Sequence, residues 1–506
     1  MELNKSLTAL SKLTCSLIAF GFFAIFNAHA EVSVANIFTD NMVLQRDQRV
    51  PVWGNASPGK VIKVRFAGQT VTGTADEDGH WVVELSPISA SFEARDLIIE
   101  GDSQLRLQNV LVGEVWLGAG QSNMAMAVGV KTAGAHAVAG QDRQLAIDLE
   151  KGGNGAIRLF KVKKNSNTSD VISDGWQPAN NGVVISPFSA LGFIFAQALQ
   201  RELTVPVGII QSARGGTRIE LWTPPEAYQQ SSLFNRPPAS DESFTVDGIV
   251  PGTLYNGMVK PLAPFAIKGV LWYQGESNII ANNDGLRYAD KFEILINSWR
   301  QTWHQPNLPF YFVQLAPFLY SERKKEGEVY HAPTELPRLW RAQEMVLERV
   351  ENTAMVPTID LVTDLKNIHP MQKRPIAERL AFTALSHLYR TDPGVPASPR
   401  VSHINIERWV VRVTFDKVTG RLHTADGQSP DSFEIAGEDG HFVPAKAEII
   451  GPASVLVWSG VVDHPKKIRF AWSETARPNL IDGNGWPAYP FCSAEMAACD
   501  NVMARQ

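Results

Sequence analysis

The chain contains few cysteines, and none of them lies in a pattern typical of a metal site. Three cysteines occur among 506 residues, at positions 15, 492 and 499. No histidine lies within a few residues of Cys492 or Cys499, so we expect no zinc site there. Six residues separate these two cysteines, a spacing compatible with a disulfide in an oxidising compartment. Spacing does not supply the bond geometry, so the free and the bonded state both stay open.

The chain also lacks a strong excess of acidic or basic residues. There are 47 lysines and arginines against 52 aspartates and glutamates, and the formal net charge is −5. No basic stripe occurs, which argues against a nucleic acid as partner. No long acidic or basic run marks a disordered tail. Composition does not indicate the oligomeric state.

The N-terminus has the features of a targeting segment. Lys5 and Lys12 give a positive start, Leu13–Phe26 is apolar, and Ala28–Ala30 is a small-x-small cleavage site. The apolar stretch is short for a membrane span, which needs about 20 residues. We therefore expect residues 1–30 to be a signal peptide and the mature protein to be exported, periplasmic or secreted, with no stable membrane span. An uncleaved anchor is the alternative.

Composition along the chain predicts three regions after this leader. The remaining 476 residues (506 minus 30) exceed what one hydrophobic core usually holds. Residues 31–106 contain short β-branched and aromatic runs separated by turn signals, which predicts a β-sandwich region. Residues 107–395 alternate strand-like and helix-like segments, which predicts an α/β unit with a parallel sheet covered on both faces. Residues 396–506 are β-rich again.

The two β regions either form separate sandwiches or associate into one accessory module built from both chain ends. We favour the single module, because each region alone has few strands. Within the α/β unit, two helices are expected, at Pro187–Leu203 and Pro375–Tyr389, the first with apolar residues near helical spacing after a proline. Strand-like runs lie at 113–118, 157–162, 205–211, 267–273 and 309–315.

One strand-like run ends in a motif suited to a reactive side chain. Leu111–Leu117 is followed by Gly118 and Gly120 and then by Ser122. Reactive groups of α/β enzymes lie at the carboxyl ends of strands, and glycine permits the sharp turn that this requires. The pattern is not the usual Gly-x-Ser-x-Gly elbow, because Met124 replaces the second glycine. A serine that caps a helix after a core strand is the alternative.

Four short motifs occur in a fixed order along the chain. They are GQSNM at 120–124, GGT at 215–217, WYQGESN at 272–278 and NIHP at 367–370. So ordered, they resemble the sialate O-acetylesterase family, a branch of the SGNH (GDSL-like) hydrolases. The resemblance covers nearly all of the chain after the leader, including residues 38–47 and 469–491. It implies an α/β fold with an SGNH-type three-layer αβα catalytic domain, to which the β-sandwich regions from both chain ends would be accessory. It also implies ester hydrolysis on sugars.

The resemblance assigns catalytic roles to a serine and a histidine. Ser122 matches the family's nucleophile, and His369 in Ile-His-Pro matches its base, which must reach the Ser122 hydroxyl. Related enzymes often have an aspartate three residues before the histidine, where this chain has Lys366. We expect Asp364 to orient the imidazole instead. Asp360 is an alternative, as is a backbone carbonyl that would leave a Ser–His dyad.

Ester hydrolysis also needs donors for the developing oxyanion. The backbone N–H of Ser122 is one candidate, and Gly215 and Gly216 would allow another backbone N–H to approach the substrate. By analogy with the family, the side-chain amide of Gln274 is the third donor, with Asn278 as the alternative.

Other residues near these motifs have weaker assignments. Trp222 is a candidate sugar platform and Asn278 a candidate substrate contact, although either can equally belong to the core. Glu276 more plausibly orders its loop, through Arg214 or Arg218, than acts as a base, because a buried carboxylate needs a partner.

The sequence therefore predicts an exported carbohydrate O-acetylesterase that forms an acetyl-enzyme on Ser122 and requires no metal or organic cofactor. Its partner would be an acetylated carbohydrate, either sialic acid or a hemicellulose such as xylan or xyloglucan. A non-catalytic carbohydrate-binding protein is the alternative. A lipase or thioesterase is less favoured, because no long apolar lid segment is evident.

Overall fold

The computed structural model of the chain describes residues 31–129, 137–165, 169–234, 243–282, 284–323, 330–389, 396–494 and 499. The expected signal peptide at 1–30 lies outside these residues. Among the described helices, none has both the length and the apolar character needed to span a membrane.

The N-terminal region is built from antiparallel β-strands. Alternate residues of β4 and β6 are buried, because one face of each strand packs on the interior and the other meets solvent. β1, β3 and β6 form a three-stranded sheet, and β4 pairs with both β5 and β7. The strands are β1 (Ser33–Val34), β2 (Val43–Gln45), β3 (Val50–Asn55), β4 (Val61–Phe66), β5 (Gln69–Thr74), β6 (His80–Leu85) and β7 (Ser91–Glu100).

A single long strand, β8 (Gln104–Gly120), connects this region to the catalytic sheet. Its first part pairs antiparallel with β7, and its last seven residues, Glu114–Gly120, pair parallel with Val207–Ala213. Exposed residues occur only before Val110, and every residue from Val110 to Gly120 is buried. The boundary expected between residues 106 and 107 therefore falls inside a continuous strand.

The α/β unit contains a sheet whose central path runs in the order β10-β9-β11-β8-β12-β13-β14. Its neighbours are parallel except for β10, which is antiparallel to β9. The strands are β9 (Ile157–Lys161), β10 (Trp176–Pro178), β11 (Val207–Ala213), β12 (Gly269–Tyr273), β13 (Phe310–Val313) and β14 (Thr353–Val356).

Ten α-helices accompany this sheet in the described part of the chain. They are α1 (Ser122–Ala125), α2 (Arg143–Lys151), α3 (Gly182–Ile185), α4 (Ala190–Leu203), α5 (Pro225–Gln229), α6 (Tyr255–Met258), α7 (Glu276–Asn282), α8 (Arg287–Thr302), α9 (Glu335–Arg349) and α10 (Lys373–Leu388). Short 3-10 helices occur at Val138–Gly140, Ile219–Trp222, Lys260–Leu262 and Tyr320–Glu322.

The strand register shows that helices cover both faces of the sheet. Trp116 of β8 lies beside Gly269 of β12, and Ala119 lies beside Trp272. Side chains alternate along a strand, so positions three apart point to opposite faces. The Trp116 ring lies 5.1 Å from that of Phe195 in α4, whereas the Trp272 ring lies 5.8 Å from that of Trp299 in α8. The catalytic unit therefore has three layers, helix, sheet and helix.

The C-terminal region forms its own antiparallel sheets. β15, β16, β21 and β20 form one, β19, β18, β22 and β24 form another, and β17 pairs with β23. The strands are β15 (Arg400–Glu407), β16 (Val410–Asp416), β17 (His423–Thr424), β18 (Phe433–Ala436), β19 (Val443–Pro444), β20 (Lys446–Gly451), β21 (Ser454–Trp458), β22 (Lys467–Phe470), β23 (Leu480–Ile481) and β24 (Phe491–Cys492).

No sheet in the described residues combines strands from both β regions, so the favoured single module is not built as a common sheet. Each region instead contacts the catalytic unit separately. The N-terminal one continues into it through β8, and the C-terminal one reaches α9 and β14. Arg400 Nε donates to Glu344 (2.9 Å), and Tyr489 Oη donates to the Met355 carbonyl (2.7 Å). Cys492 and Cys499 are joined by a disulfide, which resolves the question that their spacing left open.

The Gly120→Ala substitution tests the turn at the end of β8. Gly120 has φ +133°, and an added Cβ would lie 2.2 Å from the Tyr273 carbonyl oxygen. We expect the free energy of unfolding to fall by about 2–5 kcal/mol, from backbone strain and steric overlap together. Gly59→Ala is the matched control, because Gly59 has φ +74° and no atom near its Cβ position. Equal losses for both variants, measured by denaturant unfolding, would contradict the steric argument.

Candidate active site

Three of the predicted motifs lie where three adjacent parallel strands end, at the same edge of the sheet. Gly120 at the end of β8 lies beside Ala213 of β11 and Tyr273 of β12. Segments 121–125, 214–217 and 274–278 therefore start side by side. The carboxyl edge of such a sheet is where α/β proteins bind ligands.

Ser122 is the first residue of α1 and is partly exposed. The N-cap position belongs to Gln121, which makes no side-chain capping bond, so Ser122 is not a helix-capping serine. Gln121 is buried, and its N–H donates to the Tyr273 carbonyl (2.9 Å). The turn is thus held by Gln121, and the Ser122 hydroxyl stays available to a ligand.

A hydrogen bond joins the segments that carry Ser122 and His369. Asn123 Nδ2, next to Ser122, donates to the carbonyl of Ile368, next to His369 (3.1 Å). Gly215 completes the group, since a Cβ placed on it would lie 3.3 Å from the Ser122 Cβ. The chain segments that carry the predicted nucleophile, the predicted base and one predicted oxyanion glycine therefore lie together, although they are far apart in sequence.

The candidate triad acids do not contact this histidine. Asp364 is exposed, and its Oδ1 accepts the N–H of Lys366 (2.9 Å). Asp360 forms a two-pronged ion pair with Arg379, at 2.8 and 2.6 Å. Across the described residues, neither carboxylate hydrogen-bonds to the His369 ring. The expected role of Asp364 has no support in this geometry, because its carboxylate turns back onto its own loop.

The environment of His369 favours the neutral imidazole. Burial, and secondarily the positive charge of Lys373, lower the pKa of His369 from 6.5 to about 4. A base must be unprotonated to accept a proton, so the ring is in the required state at neutral pH.

The oxyanion candidates differ in availability. Gly215 and Gly216 are exposed beside Ser122, and no acceptor among the described residues takes the N–H of Ser122 or Gly215. Gln274 is fully buried instead. Its Nε2 lies 2.9 Å from the Thr217 carbonyl and 2.7 Å from Asn278 Oδ1. Its two amide hydrogens are thus directed at protein acceptors, and in this arrangement Gln274 braces the turn.

Trp222 and Asn278 also belong to the scaffold. Trp222 is fully buried, its Nε1 donates to Thr217 Oγ1 (3.0 Å), and its ring packs edge-on against Trp272. Asn278 is fully buried as well; it accepts the Ile219 N–H (3.0 Å) and donates to Asp284 (2.6 Å). Neither side chain is accessible to a sugar, because internal hydrogen bonds take their polar atoms.

Two residues that the sequence motifs did not single out, Asn123 and Lys373, connect the segments of the site. Asn123 Nδ2 donates to Glu276 Oε1 (2.5 Å), and Lys373 Nζ donates to Asn123 Oδ1 (2.6 Å). Burial raises the pKa of Glu276 and lowers that of Lys373 to about 7. The suggestion that Glu276 pairs with Arg214 or Arg218 is therefore wrong, since Arg218 binds Glu220.

A signal for Lys373 was present in the sequence. It shares the spacing i, i+3, i+4, i+7 with Ile376, Ala377 and Leu380, which are all buried in α10. A lysine in the apolar stripe of a helix needs a buried partner.

A second buried charge cluster is centred on Lys291. Lys291 Nζ lies 2.6–2.7 Å from carboxylate oxygens of Glu220, Asp247 and Asp284. These three acids have the spacing of possible metal ligands. The Lys291 ammonium lies among them, and Arg218 also pairs with Glu220 and Asp284, so we interpret the cluster as structural. It anchors Asn278, which donates to Glu220 and Asp284.

Known proteins identify the class of this chain. A family model described as carbohydrate esterase, sialic acid-specific acetylesterase, matches residues 112–385, or 274 of 506 positions. The chain is accordingly a carboxylic-ester hydrolase. It belongs to the carbohydrate esterase, sialic acid-specific acetylesterase family.

Both sequence relatives and a solved structure support this family assignment. The mouse sialate O-acetylesterase is 28% identical over 411 residues, covering 70% of this chain and 73% of the mouse protein. The human sialate O-acetylesterase is 28% identical over 387 residues, covering 70% and 71%. A crystal structure of a carbohydrate acetylesterase from Xanthomonas citri is similar with a TM-score of 0.79 and 31% identity, covering 92% of this chain and 99% of that one.

The Lys291→Met substitution tests the buried cluster. Removing the ammonium leaves the buried carboxylates of Glu220 and Asp284 with Arg218 as their remaining partner cation. Because a buried ion pair is broken at each of them, we expect the free energy of unfolding to fall by about 3–5 kcal/mol. Arg287→Met is the control, because Arg287 also pairs with Asp247 but its side chain is 54% exposed. That variant should lose less than about 1 kcal/mol. Similar values from denaturant unfolding of the two variants would rule out the structural role assigned to Lys291.

Proposed function

We propose that the protein is an exported carbohydrate O-acetylesterase with Ser122 as nucleophile and His369 as general base. The hydrogen bond between Asn123 and Ile368 carries this proposal, because it brings the two segments together. Family membership and the names of the mouse, human and Xanthomonas relatives support acetylated sugars as substrates. The same membership argues against a non-catalytic binding protein.

The reaction has two halves. Ser122 Oγ attacks the acetyl carbonyl while His369 takes its proton, and the backbone N–H groups of Ser122 and Gly215 donate to the oxyanion. Collapse of the tetrahedral intermediate breaks the ester bond, and the imidazolium returns the proton to the departing sugar hydroxyl. Water, deprotonated by His369, then attacks the acetyl-enzyme. Collapse of the second tetrahedral intermediate breaks the bond to Ser122 Oγ, the imidazolium returns the proton to that oxygen, and acetic acid leaves and ionises to acetate.

Among the three alternatives for the triad acid, the geometry favours a Ser–His pair without a carboxylate. Asp364 and Asp360 are committed elsewhere, and the carboxylate of Glu276 bonds Asn123 instead of the imidazole. Such a base lacks the electrostatic support that an aspartate gives to an imidazolium.

Export is proposed from the leader-like residues 1–30, and the Cys492–Cys499 disulfide fits this location. Disulfides persist in oxidising compartments such as the periplasm or the extracellular space. Export does not by itself choose between sialic acid esters and acetylated hemicellulose as substrates.

The catalytic assignment predicts losses in two variants. Ser122→Ala and His369→Ala should each lower kcat by several orders of magnitude, because they act as a unit. Asp364→Asn is the matched control and should stay within about threefold of wild type, since its carboxylate is exposed and bonds only its own loop. Acetate release is measured on acetylated sialosides, acetyl-xylan and acetyl-xyloglucan. Wild-type rates for Ser122→Ala would refute the mechanism, and a large loss in Asp364→Asn would restore the acid.

The pH dependence of kcat/KM tests the environment of the base. His369 is active when neutral, so activity should be lost only as the pH falls through its lowered pKa of about 4. The acid limb should accordingly have its midpoint about one unit or more below pH 6.5, the unperturbed value for histidine. A midpoint at about 6.5 would contradict the buried, neutral base.

A further inference from the structure

Three buried side chains form a polar cluster beside the proposed catalytic pair. The Asn123 cluster consists of Asn123, Glu276 and Lys373, which are at most 2% exposed. Asn123 is at its centre, with Lys373 Nζ at 2.6 Å from its Oδ1 and Glu276 Oε1 at 2.5 Å from its Nδ2. The same Nδ2 donates to the Ile368 carbonyl at 3.1 Å.

The chemistry of these partners fixes the orientation of the Asn123 amide. Lysine ammonium has only hydrogens to donate, whereas a carboxylate and a backbone carbonyl only accept. Oδ1 must therefore face Lys373, and Nδ2 must face Glu276 and Ile368. An amide rotated by 180° would place like groups against each other on both sides.

Burying these charged and polar groups often contributes less to the stability of the fold than apolar side chains of the same volume would. A charge removed from water is unfavourable even when paired, and apolar residues of similar volume would often stabilise such a site better. Glu276 Oε2 has no hydrogen-bond partner within the described part of the chain. Tyr273, whose ring lies 5.4 Å from Lys373 Nζ, offers only its face. Stability alone does not explain this arrangement, which suggests a functional role.

The position of Asn123 supplies that role. It follows Ser122 directly in α1, and its Nδ2 holds the residue directly before His369. A single amide thus connects the segment of the nucleophile to the loop of the base. Lys373, four residues after His369 at the start of α10, holds the opposite end of the same amide.

We propose that Asn123 positions His369 against Ser122, and that Lys373 and Glu276 hold the Asn123 amide in the orientation this requires. The inference rests on the proposed esterase function. A triad acid orients the histidine ring and stabilises the imidazolium. Asn123 provides the orientation only, because a neutral amide does not stabilise the imidazolium charge. Lys373 acts in the opposite electrostatic sense and adds to burial, the larger cause, in lowering the pKa of His369. Glu276 is the carboxylate that offsets the lysine charge nearby.

Two substitutions of Asn123 separate position from packing. Asn123→Asp keeps the size and the acceptor for Lys373 but loses the hydrogens that bind Ile368. Asn123→Ala loses both sides. Both variants should lower kcat on an acetylated sugar by about 10- to 100-fold, with KM within about threefold, because an interaction that orients catalytic groups acts mainly on the chemical step.

Lys373→Met gives a readout that a purely structural role would not move. Lys373 is protonated at pH 4–5, well below its own pKa of about 7, and its charge lowers the pKa of His369 there. Removing the charge should raise the pKa of His369 and shift the acid limb of kcat/KM to higher pH by about half a unit or more. Arg374→Met is the matched control, because Arg374 is the next residue but binds Asp142 at 2.7 Å. Its acid limb should stay unchanged.

The outcomes separate this inference from the proposed function. Wild-type turnover in Ser122→Ala or His369→Ala overturns the function and the inference with it. If those variants are inactive while the folded Asn123 variants keep wild-type kcat, the positioning role alone is overturned. Should the Asn123 variants fail to give a wild-type-like circular dichroism spectrum, the Lys373→Met profile decides, and an acid limb that does not move overturns the inference.

Discussion

The parallel pairing of β8 between β11 and β12 is the constraint on which the site depends. In-register contacts of Gly120 with Ala213 and Tyr273 bring three turns to one edge of the sheet. Only the fourth segment, which carries His369, arrives from the more distant β14, and a side-chain hydrogen bond from Asn123 rather than strand pairing holds it. Backbone pairing therefore locates the segment of the proposed nucleophile, and a side-chain hydrogen bond locates the segment of the proposed base.

The class of fold and the order of motifs could be predicted from sequence, because they depend on local patterns. The expected helix at Pro187–Leu203 is α4, which begins at Ala190 after the capping residue Ser189. The run at 205–211 is β11, displaced by two residues. Ser122 and His369 were proposed because the motifs around them resemble a family, and the structure brings their neighbours Asn123 and Ile368 into contact.

Other features could not be predicted, because they depend on contacts between distant segments. The sequence does not show whether Trp222 is exposed to a sugar or buried, because this depends on its packing against Trp272 of β12. Whether Gln274 has a free hydrogen depends on Thr217 and Asn278, which lie on different turns. The acid was sought among residues near His369 in sequence, whereas the polar group that reaches its loop is 246 positions away (369 minus 123).

The buried lysines show two different uses of the same side chain. Lys291 lies among three carboxylates, a favourable environment for a charge. Lys373 instead faces an amide, an aromatic ring and one protonation-prone carboxylate, and burial lowers its pKa to about 7. The first lysine supports the scaffold, and the second is poised where small changes of environment alter its charge.

The continuity of β8 also bears on whether the two regions that it joins can be separated. Residues of one strand hydrogen-bond with β7 at one end and with β11 and β12 at the other. A chain break between residues 106 and 107 would fall in the part of β8 that pairs with β7 and would leave part of the β7 edge unpaired. The N-terminal β region and the α/β unit therefore share one strand, so neither can be excised without cutting the pairing of β8.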